Sequence, residues 1–309
     1  MGAKPKVFIN GISGLLGFHL AWRLRKDFLV SGTSFQNHVT IPDVQVFPIN
    51  LINIETLDTL VRLQQPDFFI NAIGLNDRAE VEKQQKLSDT VNVMIPVSMA
   101  ILCSRIKAKY IGLNCSEVFD GEKGNYSEES SDFTLTDSLG KQKIAAHSFV
   151  RAQTVESTDL RIGRVLGIGH HYRPSFFDRI RFAAMRKQNY EASKRKTRAY
   201  LSTISLAHSI KLILQSEFPS KHRTFHVGGA NITEFELISS WYKLAGSDPS
   251  LVTELQDTKR DLSLNCKLMT TQFPEWKPES KQDLMKNLLT ELSPAISEKH
   301  IEKTLALMS

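Results

Sequence analysis

The chain has 309 residues, 41% of them hydrophobic and 23% charged, a composition long enough for one large or two interlocked domains. No stretch reaches the roughly 18–20 uninterrupted apolar residues of a membrane span, and the start Met1-Gly2-Ala3-Lys4-Pro5 has no signal h-region. Three scattered cysteines without a CxxC pair exclude a disulfide framework and imply a reducing, cytoplasmic setting.

The net charge of +6 sits in the second half: positions 1–150 carry 15 basic and 16 acidic residues, leaving 24 and 17 of the 39 and 33 for 151–309. Ser193-Lys194-Arg195-Lys196-Thr197-Arg198 is the densest basic run. Such a run suits a phosphorylated small ligand or a solvated face, and no interleaved aromatics or motif points to nucleic acid.

Lys6-Val7-Phe8-Ile9-Asn10 predicts a short buried strand that ends on glycine, and Phe18 to Arg25 has helical spacing. Strands are expected at Phe28–Gly32 and Val44–Phe47, then an amphipathic helix from Ile54 to Gln64 closed by Pro66. Phe68–Ala72 reads as a buried strand, Ala79 to Lys107 as one long helical stretch, and Tyr110–Asn114 as the next strand. This alternation predicts an α/β fold with a parallel, doubly wound sheet of Rossmann type. Past about residue 165 the pattern loosens. Helices are expected at Phe176–Lys187, Leu206–Gln215 and Glu234–Leu244, and a strand at Phe225–Val227. The expected division is a dinucleotide-binding domain over 1–165 and a smaller, interlocked substrate-side α/β lobe over 166–309.

Gly11-Ile-Ser-Gly14-Leu-Leu-Gly17 lies between the first strand and the first helix, where a phosphate-binding turn belongs. One glycine permits the turn, the next admits the pyrophosphate, and the third allows helix and strand to touch. Gly11, Ser13, Gly14, Leu15, Leu16 and Gly17 are therefore candidate cofactor contacts, with the helix N-terminus facing the phosphates. Asn71, Ala72 and Ile73, ending the strand at 68–72, are the facing candidates. The second strand ends in Gly32-Thr33-Ser34-Phe35-Gln36-Asn37-His38, without the carboxylate that would hold the ribose hydroxyls of NAD. NADP or NAD is expected, NADP slightly favoured.

Further motifs carry a resemblance over nearly the whole chain. They are Gln65-Pro66-Asp67 leading to Asn71-Ala72, Asp77-Arg78-Ala79-Glu80, Asn92, Val118-Phe119-Asp120-Gly121 with Tyr126-Ser127-Glu128, Gly140-Lys141-Gln142-Lys143, and Leu160-Arg161. On these the chain resembles the extended short-chain dehydrogenase/reductase family, within it the dTDP-4-dehydrorhamnose reductase group. The resemblance implies NAD(P)H-dependent reduction of a 4-keto nucleotide-sugar. It implies a tyrosine four residues before Lys143, donating a proton to the carbonyl while the lysine lowers its pKa and holds the nicotinamide ribose. It also implies a Ser/Thr hydroxyl polarising that carbonyl.

The tyrosine position is Leu139, and the Ser/Thr pair falls on Asn114 and Cys115. Leucine has no proton to give, and a thiol is a weak donor. Lys143 and Cys115 are the remaining catalytic candidates; Lys143 is also a cofactor contact. Glu117, Arg198 and Arg260 are substrate-side candidates, the arginines for a nucleotide diphosphate. Asn50 stands where the family has an aspartate toward adenine. No metal set is read: the adjacent His170 and His171 lack acid or cysteine at ligand spacing. Two readings are open, an atypical reductase and a catalytically silent dinucleotide or nucleotide-sugar binder or regulatory subunit, and a homodimer or a protein partner is compatible with either.

Overall fold

The structure is a computed structural model that describes residues 3–50, 52–134, 136–153, 156–217 and 223–292. It divides into two compact units, the first Met1–Asp120, Ser130–Ile162 and Ala207–Phe225, the second Gly121–Glu129, Gly163–Leu206 and His226–Ser309.

In chain order the first elements are β1 (Lys6–Asn10), α1 (Leu15–Leu24), β2 (Leu29–Ser34), β3 (Val44–Pro48), α2 (Ile54–Gln64) and β4 (Phe68–Asn71). Next come α3 (Arg78–Lys83), α4 (Gln85–Asp89), a π-helical turn Thr90–Met94, α5 (Ile95–Ile106), β5 (Lys109–Cys115), α6 (Ser138–Arg151) and β6 (Ser157–Ile162). The rest are β7 (Arg164–Leu166), α7 (Phe176–Met185), β8 (Tyr190–Ser193), β9 (Lys196–Ser202), α8 (Thr203–Gln215), β10 (Arg223–Val227), β11 (Ala230–Thr233), α9 (Glu234–Leu244), β12 (Val252–Leu255), β13 (Arg260–Leu262), α10 (Lys267–Gln272) and α11 (Lys281–Glu291).

Seven strands form the main sheet in the order β10-β6-β5-β4-β1-β2-β3. The pairings β1–β2, β2–β3, β1–β4, β4–β5 and β5–β6 are parallel. This is the expected doubly wound α/β sheet, with the order reversing between β1 and β4. Ligand crevices open at the carboxyl ends of strands at such a reversal.

Register aligns Phe8, Phe69 and Tyr110 across β1, β4 and β5. Their rings stack with centroids 5.6 and 6.0 Å apart. Each such aromatic pair is worth about 0.5–1.5 kcal/mol beyond the area it buries. Leu57 and Val61 of α2 and Met99, Leu102 and Cys103 of α5 cover this ladder. The helix Ile54–Gln64 has the predicted bounds because Asn53 caps it by accepting from the Thr56 N–H and Gln65 ends it in the left-handed region.

The long helix expected over 79–107 is interrupted. Gln84 leaves helical geometry at φ −122°, ψ 52°, and a π turn interrupts the ladder at Thr90–Met94. The run Gln85–Ile106 is, among the described residues, the one helix long and apolar enough by composition to cross a membrane. Here that apolar face belongs to the core beneath the sheet, and the buried Asn92 in its middle is hydrogen-bonded within the protein.

In the second unit, β11, β9 and β13 form a small sheet with β7 alongside β9, and β12 pairs with β8. Its core joins α7, α9 and α11. Phe177 meets Trp241 edge to face at 4.6 Å, and Trp241 and Tyr242 are buried as core residues, as the periodicity of their helix predicts.

Candidate functional site

The glycine turn is built as its spacing predicts. Gly11 has φ +97°, and a Cβ there would lie 2.6 Å from Ile73 Cγ2. A Cβ on Gly17 would lie 2.1 Å from the Gly11 carbonyl oxygen, so only glycine lets α1 approach β1 this closely. Gly14 differs: its Cβ would meet nothing nearer than 3.5 Å. The protein itself leaves room there.

Gly14 is the N-cap of α1, without a side-chain hydrogen bond and without an acidic residue in the first turn. The first amides of a helix have no intrahelical acceptor, and Leu15, Leu16 and Gly17 bring theirs to this end. An uncapped, acid-free helix end next to a turn that excludes side chains fits a pyrophosphate.

Beneath the turn, Asn10 and Thr33, which sequence reasoning missed, join the candidate Asn71 in tying the strand ends together. The Thr33 hydroxyl donates to Asn10 Oδ1 at 2.7 Å and accepts from the Gly11 N–H at 3.0 Å, and Asn10 Nδ2 donates to Asn71 Oδ1 at 3.1 Å. All three are buried. The readable signal is that two buried strands, VFIN and FFIN, each end in asparagine. Asn71 thus acts from inside the sheet, and Ile73 faces Gly11. At the end of β2 the Ser34 hydroxyl is buried with no hydrogen-bond partner among the described residues. The Asn50 side chain accepts from the Ile52 N–H at 3.1 Å, serving a local turn.

The wall past Ile73 is held by Asn92, placed at the centre of the π turn. Its amide spans the loop backbone, accepting from the Leu75 N–H and donating to the Leu75 carbonyl, both at 3.0 Å. It also donates to Gln142 Oε1 at 2.9 Å, and Gln142 donates to Ser88 and Asp89. Loop, π turn and α6 are therefore locked together, and single π turns of this kind are frequent at functional sites.

The same loop brings Gly74 to Lys143, whose Nζ would lie 2.9 Å from a Cβ there. Lys143 is buried on α6 and makes no ion pair among the described residues. Burial pushes its amine down from the ordinary lysine range, while Cys115 and Asp159 pull it back up. Leu139 lies one turn earlier on the same face and is 2% exposed. An aliphatic side chain therefore fills the space of the absent phenol.

Cys115 closes β5, half-buried, its N–H bonded to Asn114 Oδ1 at 2.9 Å. Glu117 follows in a short 3-10 turn. Its carbonyl accepts from Arg78 at 3.2 Å and its carboxylate stands 3.6 Å from the same guanidinium, which also pairs with Asp137, the N-cap of α6. Arg78 was read only as a motif residue, yet it ties α3, the 3-10 turn and the start of α6 together.

The structure thus gathers Asn71, Ile73, Cys115 and Lys143 within the first unit. Arg198 and Arg260 belong to the second, on the adjacent strands β9 and β13, where Arg198 is opposite Leu262 and Arg260 opposite Lys196. Arg198 lies within the electrostatic reach of Glu234 and Tyr200. The Arg260 stem covers Gly121, whose Cβ would fall 2.3 Å from Arg260 Cγ.

A family model described as the RmlD substrate binding domain matches residues 5–300. The chain belongs to that family. The dTDP-4-dehydrorhamnose reductase of Mycobacterium tuberculosis (strain CDC 1551 / Oshkosh) is 28% identical over 150 residues, which are 48% of this chain and 44% of that protein. The match therefore spans less than half the length of the curated relatives. A dTDP-4-dehydrorhamnose reductase from Bacillus anthracis, solved in complex with NADP, superposes with a TM-score of 0.80 at 16% identity, covering 94% of this chain and 99% of that one. A hypothetical dTDP-4-dehydrorhamnose reductase from Sulfolobus tokodaii gives 0.72 at 23% identity, covering 86% and 94%. These structures share the fold of this family member.

Proposed function

We propose that the protein binds a nicotinamide dinucleotide at the Gly11–Gly17 turn and reduces a 4-keto nucleotide-sugar, using Lys143 as the proton donor in place of a tyrosine. The observation that carries this reading is the Lys143 ammonium, buried without an ion-pair partner among the described residues beside Gly74, the residue after the Ile73 that faces Gly11. Unpaired buried charges are costly, and they cluster where a ligand or a reaction uses them.

When bound, the dinucleotide supplies hydride to the carbonyl carbon. The α1 amides hold its pyrophosphate, and the absence of a carboxylate at the end of β2 favours NADP. Lys143 holds a proton at Nζ for the carbonyl oxygen; its lowered pKa makes it a stronger acid than an exposed lysine. The Cys115 thiol adds a weak donor. Arg198 and Arg260 suit the sugar diphosphate, and Glu117, fixed by Arg78, suits a sugar hydroxyl.

The test is fluorescence titration with NADPH and NADH, followed by addition of a dTDP-4-keto-sugar and observation at about 340 nm, where the reduced nicotinamide absorbs. Binding with substrate-dependent loss of absorbance is expected, and it should fall in Lys143→Met. Binding without oxidation over hours would leave a dinucleotide binder and refute the reductase.

A further inference from the structure

The polar network beneath the glycine turn is directional. The Gly11 N–H donates to the Thr33 hydroxyl, that hydroxyl donates to Asn10 Oδ1, and Asn10 Nδ2 donates to Asn71 Oδ1. Asn71 is in turn hydrogen-bonded to the Tyr110 hydroxyl. The chain thus crosses β2, β1, β4 and β5 inside the first unit, and the donors of its first three bonds all point away from the turn. Register explains how it is closed. Asn10 is opposite Asn71, and Asn71 is opposite Gly112. Gly112 has no side chain, so the Tyr110 ring leans into its place, with Cε1 3.3 Å and the hydroxyl 3.7 Å from a Cβ built there. Thr33 and Asn10 are wholly buried and Asn71 is 4% exposed, so each polar atom depends on its neighbour in the row.

Thr33 meets the turn twice. Besides the hydroxyl on the Gly11 N–H, its carbonyl accepts from the Ile12 N–H at 2.7 Å. The Gly14 N–H is taken by the Gly11 carbonyl at 3.1 Å. The amides of Gly11, Ile12 and Gly14 are therefore bound within the protein. Those of Leu15, Leu16 and Gly17, which have no intrahelical acceptor, are left to face a ligand. Gly11 stands at φ +97°, and a glycine has little preference of its own between the two signs of φ. Something outside the residue must hold the turn in one conformation.

We propose that Thr33 is the positioning residue of this turn: held by Asn10 and Asn71, it takes the Gly11 and Ile12 amides out of reach of a ligand and so fixes the direction in which the Leu15–Gly17 amides face it. The effect on a dinucleotide rests on the binding reading; the lock on the turn does not. A hydroxyl is needed here, and shape alone is not enough. Valine would keep the branching and the strand, but it would leave the Gly11 N–H and Asn10 Oδ1 buried without their partner.

The test is amide hydrogen exchange by NMR on the full chain, with and without NADPH, together with NADPH titration of Thr33→Val and Thr33→Ser. In the wild type the Gly11 and Ile12 amides should be protected before NADPH is added and change little with it, while Leu15, Leu16 and Gly17 gain protection. Thr33→Val should raise Gly11 exchange and weaken NADPH binding about tenfold each, the factor that one hydrogen bond is worth, and Thr33→Ser, which keeps the hydroxyl, should stay within about twofold of wild type. A loss of stability in urea with NADPH affinity unchanged would overturn the proposal and leave Thr33 a packing residue. Protection of Gly11 and Ile12 that appears only with NADPH would also overturn it, because those amides would then be ligand donors; this measurement uses the wild type and decides even where Thr33→Val does not fold. A wild type that binds neither NADPH nor NADH, yet loses Gly11 protection in Thr33→Val, would refute the dinucleotide reading and support the lock.

Discussion

Leu139→Tyr puts a phenol where the reductases of this lineage carry one. Leu139 is one turn ahead of Lys143 on α6, so the two Cβ atoms lie about 5–6 Å apart on one face. Two energies oppose each other. Leu139 is 2% exposed, and forcing a ring into a filled position costs about 1–3 kcal/mol. For a chain of this size that is a fall in Tm of roughly 2–10 °C. Against it, a positioned general acid contributes about 10²–10⁴ in rate, or roughly 3–5 kcal/mol of barrier. The catalytic gain is larger, provided that the ring can turn out toward the crevice. Because Lys143 already supplies a proton on the proposed reading, that figure is an upper bound, and stopped-flow or steady-state NADPH oxidation with a dTDP-4-keto-sugar should rise about 10- to 100-fold, with nucleotide affinity within about threefold of wild type. A folded variant that binds nucleotide normally and shows no rise would refute the reasoning, because α6 would then not aim this face at the reacting carbonyl.

Gly14→Ala should leave Tm unchanged within about 1 °C yet weaken nucleotide binding at least about tenfold, since its methyl meets nothing in the protein nearer than 3.5 Å but enters the phosphate space; Gly17→Ala should fail to fold stably. Calorimetry and fluorescence titration separate the two. Lys143→Met should raise Tm near neutral pH by removing a buried charge that Asp159 and Cys115 offset only in part. The folded pKa of Lys143 is depressed, so the cost of its charge is full below that folded pKa and is relieved as pH rises toward the unfolded value; the Tm gain should shrink over that window. Asn92→Ala should lose both Leu75 bonds and cost about 2–4 kcal/mol in urea unfolding, with weakened nucleotide binding as the loop relaxes.

The parts legible in the sequence were those whose cause is local. The glycine turn needs three residues within seven, and the helix Ile54–Gln64 carries its own cap and stop. The interruption at Gln84 has no proline or glycine to announce it, so 79–107 reads as one helix. The strands β8, β9, β12 and β13 are short and charged, and their pairing joins Lys196 to Arg260 over a distance in sequence that periodicity does not span. β10 follows α8 in a region of loose pattern, yet it edges the main sheet beside β6. At the site, Lys143 and Cys115 could be found through the resemblance of their segments to family motifs. The Asn10–Thr33–Asn71 network and the His147–Asp159 pair are made between segments and become visible only when β1, β2, β4 and α6 are in place.

Three features of the first unit are unfavourable for the protein alone: an uncapped helix end, a buried ammonium without an ion pair, and a polar cavity beside it. Each lowers stability by an amount that a purely structural domain would have no reason to bear. The first two also suit one reaction, the helix end for a phosphate and the ammonium for a proton. Leu139 removes the acid from the first turn of α6, but the same face continues through Lys143 to His147, and Asp159 waits beside it. On the proposed reading the acid function lies one turn further along α6, on the face that Leu139 and Lys143 share. A buried ammonium donor should carry a solvent deuterium isotope effect different from that of Leu139→Tyr, where a phenol would donate. Equal isotope effects in the two proteins would count against Lys143 as the donor in the wild-type protein.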